Sequence, residues 1–284
     1  MKIIECPRDA MQGLHDFIPT EKKALYINQL LKVGFDTIDF GSFVSPKAIP
    51  QLKDTAAVLN QLDLTGAKSK LLAIIANLRG AEDAIQFKEI DYLGFPLSIS
   101  EQFQKRNTNK SIADALSTVA DIQNLCHKHN KILVTYISMG FGNPYGEAFN
   151  EEIVAAFVEK LATLGIKIIS LSDTIGVAEP DVINSIFSTS IDVYPSIEFG
   201  AHFHSTPDKT LEKLEAAYKA GCRRFDTAIK GFGGCPMAKN DLTGNVATER
   251  LISFLSSIEQ ETGLDKDAFD KAMLMSLDVF PQNG

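Results

Sequence analysis

The sequence predicts an α/β protein: a single closed (β/α)8 barrel followed by one extra C-terminal helix. Three observations lead there. Eight short β-branched runs alternate with longer segments of helical spacing, and such alternation implies right-handed crossovers and a parallel sheet. The 284 residues suit one such barrel, which takes roughly 250. No G-x-G-x-x-G follows the first strand-like run, which removes the main dinucleotide-binding alternative. One unit is expected over residues 1–284, with the barrel to about 262 and a helical extension over about 263–284.

In chain order the strand-like runs are KIIEC, TIDFGS, LLAIIA, YLGFPLS, ILVTYISM, IISLSD, IEFGAHFH and RRFDTAI. Between the first two lies EKKALYINQLLKVG, with apolar residues at helical spacing. Between the fourth and fifth lies SIADALSTVADIQNLCHKHN, where Ser111 stands as N-cap and Asp114 follows three residues on, much like a capping box. After the eighth come a glycine-rich loop, the helix VATERLISFLSSI and the amphipathic tail TGLDKDAFDKAMLMSLDVF.

Composition narrows the function. Hydrophobic residues make up 45% and charged residues 23%, ordinary for a globular protein. The net charge is −8 with Lys and Arg scattered, so there is no footprint for nucleic acid. No apolar run approaches the roughly 18 residues that read as a membrane span, and the N-terminus lacks a small-residue cleavage site. Cys6, Cys126, Cys222 and Cys235 are widely spaced, without a C-x-x-C pair. That favours a reducing cytoplasm over a zinc knuckle or a disulfide framework.

Chemistry in such barrels sits at the C-terminal ends of the strands. The seventh run ends in GAHFH, and residues two apart on a strand share a face, so His202 and His204 point together. Alone, the pattern divides evenly between a metal pair and hydrogen-bonded histidines. The other histidines, His15, His127 and His129, read as surface or hydrogen-bonded residues. The first run ends in ECPRDAMQ, placing Arg8 and Asp9 at the same rim, as a salt bridge or a catalytic pair. The loop GFGGCPMAKNDLTGN after the eighth run carries Cys235 and ends at Asn245. Closure makes the eighth strand neighbour both the seventh and the first. Asp9, His202, His204 and Asn245 therefore converge, and two imidazoles, a carboxylate and an amide oxygen suit Mg²⁺, Mn²⁺ or a similar divalent ion. Asp39 and Asp173, at the ends of the second and sixth runs, flank this cluster; either could be a helix N-cap alone. Gly176 could close a tight turn after Asp173.

With these residues assembled, the chain resembles the 3-hydroxy-3-methylglutaryl-CoA lyases, among the TIM-barrel metal-dependent aldol and Claisen enzymes. The likeness spans nearly the whole chain and is densest at PRDAMQ, SFVSPKAIPQ, RNTNKSI, SLSDTIGV, AHFH, GFGGCP and GNVATE. It implies Asp9, His202, His204 and Asn245 as ligands of Mg²⁺ or Mn²⁺, and Arg8 as the residue that stabilises a thioester enolate. Cys235 matches the family's loop cysteine, suited to protonate that enolate. Asp39 stands where the family has an active-site glutamate, one methylene longer. Gln12, Asn107, Asn109, Ser111 and Asp173 fall on stretches that the family places near substrate or coenzyme A. Ala10 and Met11 replace the family's glycine and leucine, and Ser205, Pro207 and Asp208 depart from its pattern.

The implied reaction is a retro-Claisen-type cleavage of 3-hydroxy-3-methylglutaryl-CoA, or a close 3-hydroxyacyl-CoA, to acetyl-CoA and acetoacetate. Asp9, Asp39 and His202 are the candidates for general base. A condensing acyltransferase related to 2-isopropylmalate or homocitrate synthases is the nearest rival, but those carry a further domain. A pyruvate-releasing aldolase and a non-catalytic barrel follow; the last predicts a broken ligand set, whereas none of the four is missing. Barrels of this kind commonly pair, so a homodimer is expected.

Overall fold

The computed structural model describes residues 1–234 and 243–280. Eight parallel strands close into a barrel: β1 Lys2–Glu5, β2 Thr37–Ser42, β3 Lys70–Ile74, β4 Tyr92–Ser98, β5 Ile132–Ser138, β6 Ile168–Asp173, β7 Glu198–Ser205 and β8 Arg224–Thr227. Each pairs with the next in sequence, and β8 pairs with β1. This is the TIM barrel that the alternation predicts, each strand within a residue or two of its sequence run. A ninth strand was not foreseen: β9, Gly244–Asn245, pairs antiparallel with the end of β7.

Strands β2 and β6 are buried at every position, because helices cover the outer face while side chains fill the inside. Leu72, Tyr92, Val134, Tyr136 and Ile168 form a small apolar cluster on alternating strand positions, lining the barrel interior. The larger core lies between strands and helices. Gly34, at φ +87°, ends the helix Thr20–Val33 in the left-handed conformation that glycine adopts without a Cβ penalty. Ser111 caps the helix Ile112–Lys128 as expected, its Oγ accepting from the Asp114 N–H at 3.1 Å.

The C-terminal extension forms the helix Lys266–Val279, packed against the helix Thr20–Val33. The Gln29 side-chain amide donates to the Ala268 carbonyl at 2.8 Å, and the Asp265 N–H donates to the Val33 carbonyl at 2.9 Å. No described helix is long and apolar enough to cross a membrane.

Candidate active site

Pro7 starts a short helix, Pro7–Gln12, directly at the end of β1. Proline fits that first position because its missing N–H has no helical partner to lose. The tight strand-to-helix junction buries Arg8 and Asp9 rather than leaving them on an open rim loop. Arg8 is held by a fork: Nε and Nη2 donate to Asp39 at 3.0 and 2.5 Å. Nη1 donates to Asp9 at 2.8 Å and to Gln12 at 2.9 Å. A guanidinium has five N–H donors, so among the described residues one hydrogen on Nη2 stays uncommitted. Burial works against the Arg8 charge, but Asp39 and Asp9 outweigh it and raise its pKa. Burial pushes the Asp39 carboxyl up to about 6 against the pull of Arg8, so the pair is ionised at neutral pH.

Asp9, His202 and His204 each offer a ligand atom, all within 4.8 Å of one another. Burial disfavours the Asp9 charge, yet Arg8, His202, His204 and the Asn245 hydrogen bond together lower its pKa. On β7 the histidines share a face as the pleat requires, ring centroids 5.4 Å apart. Gly200, beneath them, leaves space that the Arg224 stem occupies: a Cβ there would meet Arg224 Cδ at 3.1 Å. His202 Nδ1 lies 3.1 Å from Asp226 Oδ2, and His204 Nδ1 lies 3.4 Å from the Thr243 carbonyl. Each ring thus directs Nδ1 to a protein acceptor and leaves Nε2 free. Burial lowers the His202 pKa, but the Asp226 hydrogen bond and charge reverse this and raise it; burial and then His202 lower that of His204.

Asn245 stands opposite His204 in the β7–β9 pairing. Its amide donates to Asp9 Oδ2 at 2.7 Å and to the Phe232 carbonyl at 2.9 Å. Both amide hydrogens are engaged, and Oδ1 accepts no hydrogen bond among the described residues. Gly233, at φ +93°, makes this possible; a Cβ would lie 2.8 Å from the Asp9 carbonyl and 2.9 Å from the Asn245 amide nitrogen. A carboxylate, two imidazole nitrogens and an amide oxygen fit a hard divalent cation. Asp9, His202 and His204 open onto a cavity of about 370 Å³ that Arg8, Gln12, Arg106, Asn107 and Asn109 also line.

The HMGL-like family model matches residues 2–274. The chain belongs to the HMGL-like family. It is a carbon–carbon lyase. It is 33% identical to the hydroxymethylglutaryl-CoA lyase of Bacillus subtilis over 258 residues, 91% of this chain and 85% of that one. It is also 33% identical to the 3-hydroxy-3-isohexenylglutaryl-CoA/hydroxy-methylglutaryl-CoA lyase of Pseudomonas aeruginosa over 264 residues, 92% and 86% of the two chains. The structure of an HMG-CoA lyase from Acinetobacter baumannii, in complex with coenzyme A and 3-methylmalate, superposes with a TM-score of 0.90 at 32% identity, covering 98% of this chain and 90% of that one.

In this HMGL-like barrel, Arg8, Asp9, Gln12, Asn107, Asn109, His202 and His204 all line the cavity, whereas Asp39, Ser111, Asp173 and Asn245 do not; Asn245 adjoins it through its hydrogen bond to Asp9. Asp39 is turned onto Arg8, and Ser111 is occupied as a helix cap. Asp173 accepts from Lys213 Nζ at 2.6 Å and from the Val177 and Ala178 N–H groups. It is neither a helix cap nor a cavity group but the clamp of the turn in which Gly176 sits at φ +75°. Cys235 lies outside the described residues. Sequence reasoning missed Asp226, the buried partner of His202, and Tyr136, Ser42, Ser138 and Ser172 on the cavity wall. The three serines were open to discovery, since polar residues near the C-terminal end of barrel strands face the site.

Proposed function

We propose that this lyase cleaves 3-hydroxy-3-methylglutaryl-CoA, or a close 3-hydroxyacyl-CoA, to acetyl-CoA and acetoacetate, with a divalent cation as cofactor. One observation carries the reading: Asp9, His202 and His204 gather in a single cavity that Arg8 also lines. The named activities of the relatives agree with it.

Asp9, His202, His204 and Asn245 would hold the ion, which when bound supplies Lewis-acid polarisation of the substrate hydroxyl. That hydroxyl proton passes to a carboxylate: Asp9 faces the cavity, whereas His202 has Nδ1 turned to Asp226 and Nε2 to the ion. The bond between the carbinol carbon and the thioester α-carbon then breaks, and its electron pair moves onto the thioester as an enolate. Arg8 meets the enolate oxygen with a fixed charge and one free N–H, an arrangement that needs no reorganisation during the reaction. Asp39 is the residue that keeps Arg8 aimed. Cys235 returns a proton to the α-carbon; a thiol of ordinary pKa near 8.5 is mostly protonated at neutral pH. Arg106, Asn107 and Asn109 give the cavity donors for the coenzyme A portion. A cytoplasmic location is supported by the buried free thiols of Cys6, Cys126 and Cys222.

The test is incubation of the purified protein with 3-hydroxy-3-methylglutaryl-CoA and Mg²⁺ or Mn²⁺, with acetoacetate measured. Acetoacetate that forms with metal and vanishes with chelator is the expected result. No product from protein shown to hold metal would move the substrate to another 3-hydroxyacyl-CoA.

A further inference from the structure

The C-terminal helix ends at Phe280, whose N–H donates to the Ser276 carbonyl at 2.9 Å. The Phe280 ring is 3% exposed and is held from two sides. It meets Tyr26 edge-on at 5.8 Å, and it stacks on Phe232 at 4.6 Å with the planes 22° apart. Phe232 supplies the carbonyl that accepts from the Asn245 amide at 2.9 Å. The next residue, Gly233, is pressed so closely against Asp9 and Asn245 that a side chain would not fit.

The geometry points to Phe280 as a positioning residue for the cation site: by stacking on Phe232 it fixes the carbonyl that holds one Asn245 amide hydrogen, and with it the orientation of that side chain beside Asp9. This rests on the assignment of Asn245 as a ligand. An amide presents its oxygen to a cation only if its NH₂ is satisfied elsewhere, because a reversed amide would aim two donors at the ion. Asn245 has two acceptors for those hydrogens. One, Asp9, belongs to the site itself. The other is a loop carbonyl held by the Phe232 ring, which is only half-buried in the barrel. A stacked aromatic pair is the side-chain contact that ties that loop position to a rigid element, the helix Lys266–Val279. The helical extension, which closes no barrel strand, thereby reaches the chemistry through two rings and one hydrogen bond.

Mn²⁺ titration, read by calorimetry or by the free-ion electron paramagnetic resonance signal, tests this without substrate. Phe280→Ala is expected to weaken Mn²⁺ binding about tenfold, the usual scale for loss of a group that orients a metal ligand. Phe280→Leu should restore most of the affinity, and Phe232→Ala should reproduce the loss from the other side of the stack. In an Asn245→Ala background, Phe280→Ala should cause no further change. If Phe280→Ala fails to fold, Phe232→Ala decides. Unchanged Mn²⁺ affinity in the folded Phe280 and Phe232 variants, alongside a loss in Asn245→Ala, overturns the positioning role alone. Undiminished affinity in Asn245→Ala overturns the ligand assignment and the positioning role with it.

Discussion

His202 and Asp226 face each other as register partners on β7 and β8, with the imidazole Nδ1 3.1 Å from the carboxylate. Asp226 is almost fully buried, so this contact fixes the ring orientation and leaves Nε2 toward Asp9. Asp226→Asn would keep the shape but offer an amide whose NH₂ competes for the same nitrogen. Mn²⁺ affinity should fall by about 10- to 100-fold, measured by calorimetric titration, while the thermal transition stays cooperative. Wild-type affinity in that variant would show that His202 is oriented by other contacts.

A second prediction concerns the Arg8 fork. Asp39→Asn removes the charge that holds Arg8, and turnover should drop about 100-fold, the scale of one misplaced group at a developing oxyanion. KM for the acyl-CoA should change little, because the loss falls on the transition state. Asp39→Glu, one methylene longer, should retain activity if it can still present both oxygens. The pH dependence of kcat in Asp39→Asn separates aiming from general-base work: loss of a base removes the acidic limb of the profile, whereas loss of an orienting group lowers the rate and leaves that limb in place.

The site was legible in the sequence wherever one rule of geometry acts alone. Strand pleating puts His202 and His204 on one face from spacing by itself, and barrel closure brings Asp9 to them. The remainder depended on contacts that no local pattern encodes. Lys213 reads as a solvated helix residue, yet it is fully buried against Asp173. Asp226 reads as one polar residue within a buried strand. The β9 pair is two residues long, too short for any periodicity, and it sets Asn245 directly opposite His204. The fold itself came through almost entirely, because eight strand–helix alternations over one chain admit few topologies.

A third prediction lies in Glu5. Burial pushes its carboxyl up to about 8, although Thr248 Oγ1 donates at 2.6 Å and the Ile229 N–H at 2.8 Å. In the unfolded chain it would titrate near 4.5. Between those values the folded state binds a proton that the unfolded state does not, so stability falls as pH rises from about 4.5 to about 8. The slope from this group reaches at most about 1.4 kcal/mol per pH unit. Glu5→Gln, neutral throughout, should flatten this dependence; denaturant unfolding at pH 5, 6, 7 and 8 measures it. An unchanged slope would mean that Glu5 takes up no proton on folding.

For Cys235 the expectation is chemical. Cys235→Ala should cut turnover by about 10²- to 10⁴-fold, the range for a positioned proton donor. Mn²⁺ stoichiometry should be unaltered, since the cysteine lies outside the proposed ligand set. Near-normal acetoacetate production by this variant would remove the thiol from the reaction.

The pairing of β1 with β8 sets Glu5 beside Thr227, joining two ends of the chain. Arg8 and Asp9 come from one end and His202, His204 and Asn245 from the other. During folding these groups meet only after the longest loop in the barrel has closed, a step whose entropy is lost before its contacts are gained. High-affinity Mn²⁺ binding thus reports whether the first and last strands of the barrel have paired. A refolding chain that holds the ion weakly, through the histidine pair alone, is one whose first and last strands have not yet met.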